Sequence, residues 1–157
     1  HEPAIEKLRK YHQEGRPFSY DMLYYLSLDY AKYDTFESKK LLLEALKAYP
    51  ADLYTEKSEE EKNIAKNHAQ SDGKRLHYPI IRDLISLYFK DENYKASYVW
   101  ALVLHRNNDE SADSGMIIDY MEAKSKDKDK LYTIAARIDE GLKEGRFRPS
   151  EFSILGI

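Results

Sequence analysis

The stretch 94–106, YKASYVWALVLHR, is apolar on nearly every side of a helix. A surface helix carries one apolar stripe, whereas a helix apolar all round has to be covered all round. The other elements must therefore be arranged about this one. Just before it, residues 79–90 open on Pro79, which suits a first helical turn. Ile80, Ile81, Leu84, Ile85, Tyr88 and Phe89 then give that segment a wide apolar face. The turn at Asp91–Asn93 is short, so the two helices should run antiparallel.

The same periodicity recurs along the chain. Residues 3–14 align Ile5, Leu8 and Tyr11 or His12, and Gly15 stops the segment. A helix over 19–33 carries Met22, Leu23, Tyr25, Leu26, Asp29, Tyr30 and Tyr33. Asp34 or Thr35 caps a helix over 35–48 that turns Phe36, Leu42, Leu43 and Leu46 inward, and Pro50 ends it. Residues 112–123 hold Met116, Ile117, Tyr120 and Met121. Leu131, Ile134, Ala135, Ile138 and Leu142 form a clean stripe that Gly145 terminates, and the tail offers Phe147, Phe152, Ile154 and Leu155 for docking. Residues 51–76 are polar, with a capping box at Ser58 and Glu61. No stretch alternates as a strand would. The expected fold is all-α, about seven helices in antiparallel hairpins forming an irregular array or bundle. It reads as a single domain of an N-terminal part (1–50), a polar connecting segment (51–76) and a C-terminal part (77–157).

Composition narrows the function classes. With 25 Lys+Arg against 28 Asp+Glu the formal charge is −3, so there is no basic face for nucleic acid. The absence of cysteine removes disulfides, thiolate nucleophiles and Cys-based metal sites. No apolar run reaches the ~20 residues of a membrane span. The first residue is His1 rather than Met, as removal of an export signal would leave it, so export and a cytoplasmic location are both expected readings.

Motifs with a chemical mechanism are missing: no phosphate loop, zinc helix, nucleophile elbow or dinucleotide fingerprint occurs. Asp109 to Gly115 imitates half of a calcium loop. Its glycine is one position late and Tyr120 stands where a bidentate Glu is needed, so an N-cap cluster explains it better. No metal or cofactor is expected. Of the five histidines, His77 lies at the start of helix 79–90 and His105 at the end of helix 94–106, and antiparallel packing sets those two ends side by side. Together with Arg106 and Asp109 they form a candidate acid/base or metal-ligand cluster. The simpler reading makes His105 a cap on the negative end of its helix. The 14 tyrosines supply contact area with one polar end. Tyr24, Tyr25, Asp29, Tyr30 and Tyr33 form a candidate partner-binding face, unless Asp29 is taken up by a tyrosine hydroxyl or a lysine at the core edge.

A Trp-containing helix ending in His, followed by a short acidic loop and two helices, the last bearing an Arg, resembles a poorly characterised bacterial family of helical proteins with a Gln-His-Ala-Asp motif. Trp100, His105 and Arg137 match. Leu104 stands for the Gln, Arg106-Asn107 for Ala-Asp, and Ala136 for the Asp before the family's Arg; the Tyr-Gly-Thr-Gln end is replaced by Ser153-Ile154-Leu155-Gly156. The resemblance covers residues 100–156, implies a helical fold with a polar site centred on the His lost or remodelled, and leaves function open. The functional expectation is an interaction or scaffold module that binds a protein or peptide through a tyrosine-rich surface. The alternative is a metal-dependent or acid/base hydrolase centred on His105 with His77 and Asp109.

Overall fold

The computed structural model of the chain describes residues 3–55, 77–107 and 112–155. Among them the structure is all-α, with no strands. The helices are α1 (Pro3–Gln13), α2 (Tyr20–Tyr30), α3 (Thr35–Ala48), α4 (Ala51–Thr55), α5 (His77–Lys90), α6 (Tyr94–Arg106), α7 (Ala112–Glu122) and α8 (Lys128–Glu144), followed by a 3-10 segment Pro149–Leu155. Helix α6 is the centre. It packs against α5, α7 and α8, while α2 pairs with α3, α3 leans on α5, and α4 meets α8. All nine residues from Ala96 to Leu104 are buried, as an all-round apolar helix requires. One core cluster draws on both sides of the connecting segment, from Leu26 and Leu42 to Leu84 and Ile85, and on to Trp100 and Ile138.

Two serines let helices approach closely. Ser97 Oγ donates to the Ile85 carbonyl across α6 and α5 at 2.8 Å, and Ser38 Oγ donates to the Ser27 carbonyl across α3 and α2 at 2.8 Å. A small side chain with one donor keeps the gap narrow and leaves no buried hydroxyl unmet. The Trp100 indole meets the edge of Phe147, and Phe147 stacks on Phe152, so the tail closes over the far side of α6. The side chains of Ile154 and Leu155 lie outside the described residues, as does the capping box at Ser58.

Several boundaries differ from expectation. Helix α5 begins at His77, so Pro79 sits within its first turn rather than opening it. Pro50 ends α3 but α4 starts at once behind it, a five-residue helix too short to show a period. Phe36 is 72% exposed rather than inward. Ser38, Leu41, Leu42, Leu43, Ala45 and Leu46 are the buried residues of α3, and Phe36, in its first turn, precedes all of them.

Helices α1, α5 and α8 end in the same way. After α1 and α8, Gly15 (φ 76°) and Gly145 (φ 70°) take the left-handed conformation, and the following N–H reaches back five residues, Arg16 to Tyr11 O and Arg146 to Gly141 O. After α5 that left-handed position is Glu92, at φ 63°, with Asn93 N–H bonded to Tyr88 O at 2.8 Å. A side chain there is strained by its own Cβ. The turn is held by its flanks. Asn93 accepts the Ala96 N–H to cap α6, and Asp91 accepts Lys39 Nζ at 2.6 Å and the Thr35 hydroxyl at 3.3 Å from α3. Glu92→Gly should therefore stabilise the chain by about 0.5–1 kcal/mol in denaturant unfolding, with the m-value unchanged. A neutral or negative result would mean that the turn is not strained at this residue.

Candidate functional site

The end of α6 does gather polar groups, and of the sequence cluster Arg106 is among them. Arg106 is the last residue of α6 and Asn107 its C-cap. Both reach Asp139 of α8, which is fully buried. The Asp139 carboxylate accepts from Tyr54 of α4 at 2.8 Å, Asn107 Nδ2 at 2.8 Å, Lys143 Nζ at 2.8 Å and Arg106 Nε at 3.2 Å. Asn107 Nδ2 also donates to Val103 O and to the Tyr54 hydroxyl. Burial alone would raise the Asp139 pKa; the donors Lys143, Asn107 and Tyr54 outweigh it and hold the group below the ordinary carboxylate range. Tyr54 moves the opposite way, upward, through burial first and then the facing carboxylate. A carboxylate kept ionised by four donors is a weak base, and its partner phenol is a weak acid. The network is built to tie α4, α6 and α8 together.

His77 lies next to this network. It is buried, with Nδ1 at 3.2 Å from the Tyr49 hydroxyl and its ring 4.9 Å from that of Tyr54 and 4.1 Å from that of Tyr78. Tyr78 in turn donates to Asn107 O at 3.4 Å, so the start of α5 does lie beside the end of α6. His105 is exposed, on a different surface of that helix end from the inward-facing Asn107. Asp109 and most of the calcium-like loop lie outside the described residues. Among the described residues no three His, Cys, Asp or Glu side chains gather as a metal would need. Of the positions that carry the family resemblance, Trp100 is core, His105 is solvent-facing and Asn107 meets the last helix through Asp139; Arg137 lies at the rim, over Phe152. Sequence reasoning missed Asp139. Its signal was a carboxylate on the inward stripe, one turn from both Ala135 and Leu142.

The tyrosine face of α2 is partly covered from within the molecule. Arg9 of α1 pairs with Asp29, and its guanidinium lies 5.4 Å from the Tyr30 ring centre and 5.3 Å from that of Tyr33. The Tyr33 hydroxyl donates to Asp29 at 3.3 Å. Asp29 is held below its ordinary pKa, first by the Arg9 hydrogen bond. Tyr24 is half-buried against Asp83 of α5, and burial together with that carboxylate pushes its phenol up to about 12. Tyr25 and Tyr33 remain exposed.

A larger apolar opening lies between α5 and α7, both of which pack on α6. This groove has a volume of about 750 Å3 and is lined by Ser86, Phe89 and Lys90 from α5 and by Met116, Ile117 and Tyr120 from α7, with Asp119 at its margin. Phe89 is 42% exposed, Met116 69% and Tyr120 43%. The ring of Tyr94, at the start of α6, lies 5.1 Å from the Phe89 centroid and 6.3 Å from that of Tyr120. Lys124 Nζ sits 4.3 Å over Tyr120 and fixes that ring. Phe89 and Met116 are apolar in sequence, but Phe89 falls at the edge of α5's buried stripe and Met116 on the side of α7 away from the buried Ser114 and Met121.

Removing the Asp139 charge should cost about 3 kcal/mol at pH 7, since Asp139→Asn sets an amide N–H against four donors. Because the folded pKa is depressed, this contribution is complete above the ordinary carboxylate value and is lost as pH falls through the lower, folded one. In urea unfolding across about pH 2 to 7, the gap between wild type and Asp139→Asn should narrow at the acid end. A gap independent of pH would show that Asp139 is not held ionised by its neighbours.

A scan against protein-family models, a search of curated proteins and a search of solved structures each find no match to this chain.

Proposed function

We propose that the chain is a helical interaction module that docks a protein or peptide partner in the apolar groove between α5 and α7. The observation that carries this reading is the exposure of Phe89, Met116 and Tyr120 around one concavity. Single exposed apolar residues are ordinary, but several lining one groove leave apolar area that water solvates poorly. An amphipathic helix offers anchors at i, i+3 or i+4, and i+7, and a groove between two helical walls suits that shape. Lys90 and Asp119 place one charge of each sign at the margin, which favours a partner carrying both.

The groove is preferred to the α2 face because Arg9 already engages Tyr30, Tyr33 and Asp29 there. Tyr25 and Tyr33 stay exposed there, but Asp29, the polar anchor of that face, is already taken by Arg9. The groove is preferred to a hydrolase centred on His105 because that side chain is exposed, whereas His77 is enclosed by Tyr49, Tyr54 and Tyr78.

The test is selection of displayed helical peptides on the purified chain, with affinities then measured in solution. Peptides with apolar anchors at helical spacing should be enriched. Met116→Glu should weaken them at least tenfold, about 1.4 kcal/mol, without changing the melting temperature. Tyr25→Glu should leave them unchanged. Peptides indifferent to Met116→Glu would contradict the assignment, and loss with Tyr25→Glu would move the partner to the α2 face.

A further inference from the structure

A second concavity lies where the tail meets α3. Its volume is about 380 Å3, and its walls are Lys40, Leu43, Glu44 and Lys47 of α3 and Arg148, Pro149 and Ser150 of the tail. Positions 40, 43, 44 and 47 recur at helical spacing, so all four side chains line the same face. Leu43 and Pro149 make the floor of the cleft apolar. Lys40, Lys47 and Arg148 give it three cations, and among the described residues none of the three makes an ion pair or side-chain hydrogen bond. The one carboxylate, Glu44, is directed to His12 Nε2 at 3.2 Å.

This gathering of positive charge stands in a chain of net charge −3. All three cations are exposed, so solvent screens their mutual repulsion and leaves each side chain available to an anion. Some cations pair with acids, Arg9 with Asp29, Lys39 with Asp91, and Arg106 and Lys143 with Asp139, whereas the three at the cleft are exposed. Arg148 is also restricted, because a residue before proline is kept out of the helical region of backbone space. A planar guanidinium on constrained backbone, lining one cleft with two ammonium groups and the apolar Leu43 and Pro149, matches a phosphate or carboxylate attached to an apolar body. A cleft of this size accepts a small molecule rather than a folded segment.

We infer that the cleft formed by Lys40, Lys47 and Arg148 over Leu43 and Pro149 binds a small organic anion, with Arg148 as the bidentate partner of its anionic group. The site shares no residue with the α5–α7 groove and does not depend on that groove's function.

The probes are 1-naphthyl phosphate, inorganic phosphate and uncharged 1-naphthol, titrated at low ionic strength with calorimetry and with amide chemical shifts as the second readout. Naphthyl phosphate should bind saturably and shift the amides of Leu43 and Ser150. Inorganic phosphate should bind the same place at least tenfold more weakly, for want of the apolar body. Arg148→Gln should weaken naphthyl phosphate at least tenfold with an unchanged melting temperature, whereas Lys126→Gln, an equal loss of charge on the exposed loop before α8, should not. Equal affinity for wild type and Arg148→Gln would overturn the inference. So would naphthol binding as well as its phosphate, which would assign the probe to the aromatic groove. Binding only to anionic phospholipid vesicles, or only to acidic peptides, would also overturn it, since both exceed the cleft.

Discussion

The burial of α6 on every side is the constraint from which the rest follows. A helix with one apolar stripe can lie on the surface, but one with Ala96 to Leu104 all inaccessible needs a neighbour in each direction. Helix α5 covers one side through the Ser97–Ile85 contact, α7 and α8 cover two more, and the tail brings Phe147 to Trp100. The penalty is visible at the centre. The Trp100 indole N–H finds no acceptor among the described residues, which the ring's large buried area offsets.

The two ends of α6 are fixed by different means. At its start, the turn through Asp91, Glu92 and Asn93 is locked by hydrogen bonds to α3, strongly enough to hold Glu92 in a conformation that suits glycine. At its end buried polar groups take over from apolar packing. The Asn107 amide and the Arg106 guanidinium close on Asp139 with Tyr54 and Lys143. A buried carboxylate is stabilising only when its lone pairs are filled, and here four donors fill them. That same saturation makes the group unsuited to proton transfer. The polar residues at this end of α6 tie α4, α6 and α8 together, and among the described residues an apolar groove and a basic cleft open at the surface.

Much of this could be read from the residues alone. The all-round apolar character of 94–106 put α6 at the centre, and Asp34 with Pro50 framed α3 at its observed bounds, Thr35–Ala48. Helix α4 was not legible, because five residues after a proline show no period. Nor was its consequence, the arrival of Tyr54 at Asp139. The groove was hidden for a related reason. Phe89, Met116 and Tyr120 are apolar residues on amphipathic helices, and only the angle between α5 and α7 decides that they flank an opening instead of meeting each other. His77 and His105 were correctly placed at neighbouring helix ends, but the spacing of two histidines carries no information about which one faces a tyrosine cage and which faces water.

The most direct test of the account is hydrogen exchange of the α6 backbone amides under native conditions. If burial of α6 organises the fold, the amides of Val99 to Leu104 exchange only through global unfolding, with a free energy equal to that from denaturant titration. Those of α7, which leaves Met116 and Tyr120 exposed at the groove, exchange through smaller openings. Exchange of the α6 amides at a lower free energy than those of α8 would show that α6 is a late addition to a core formed elsewhere, and would contradict the account.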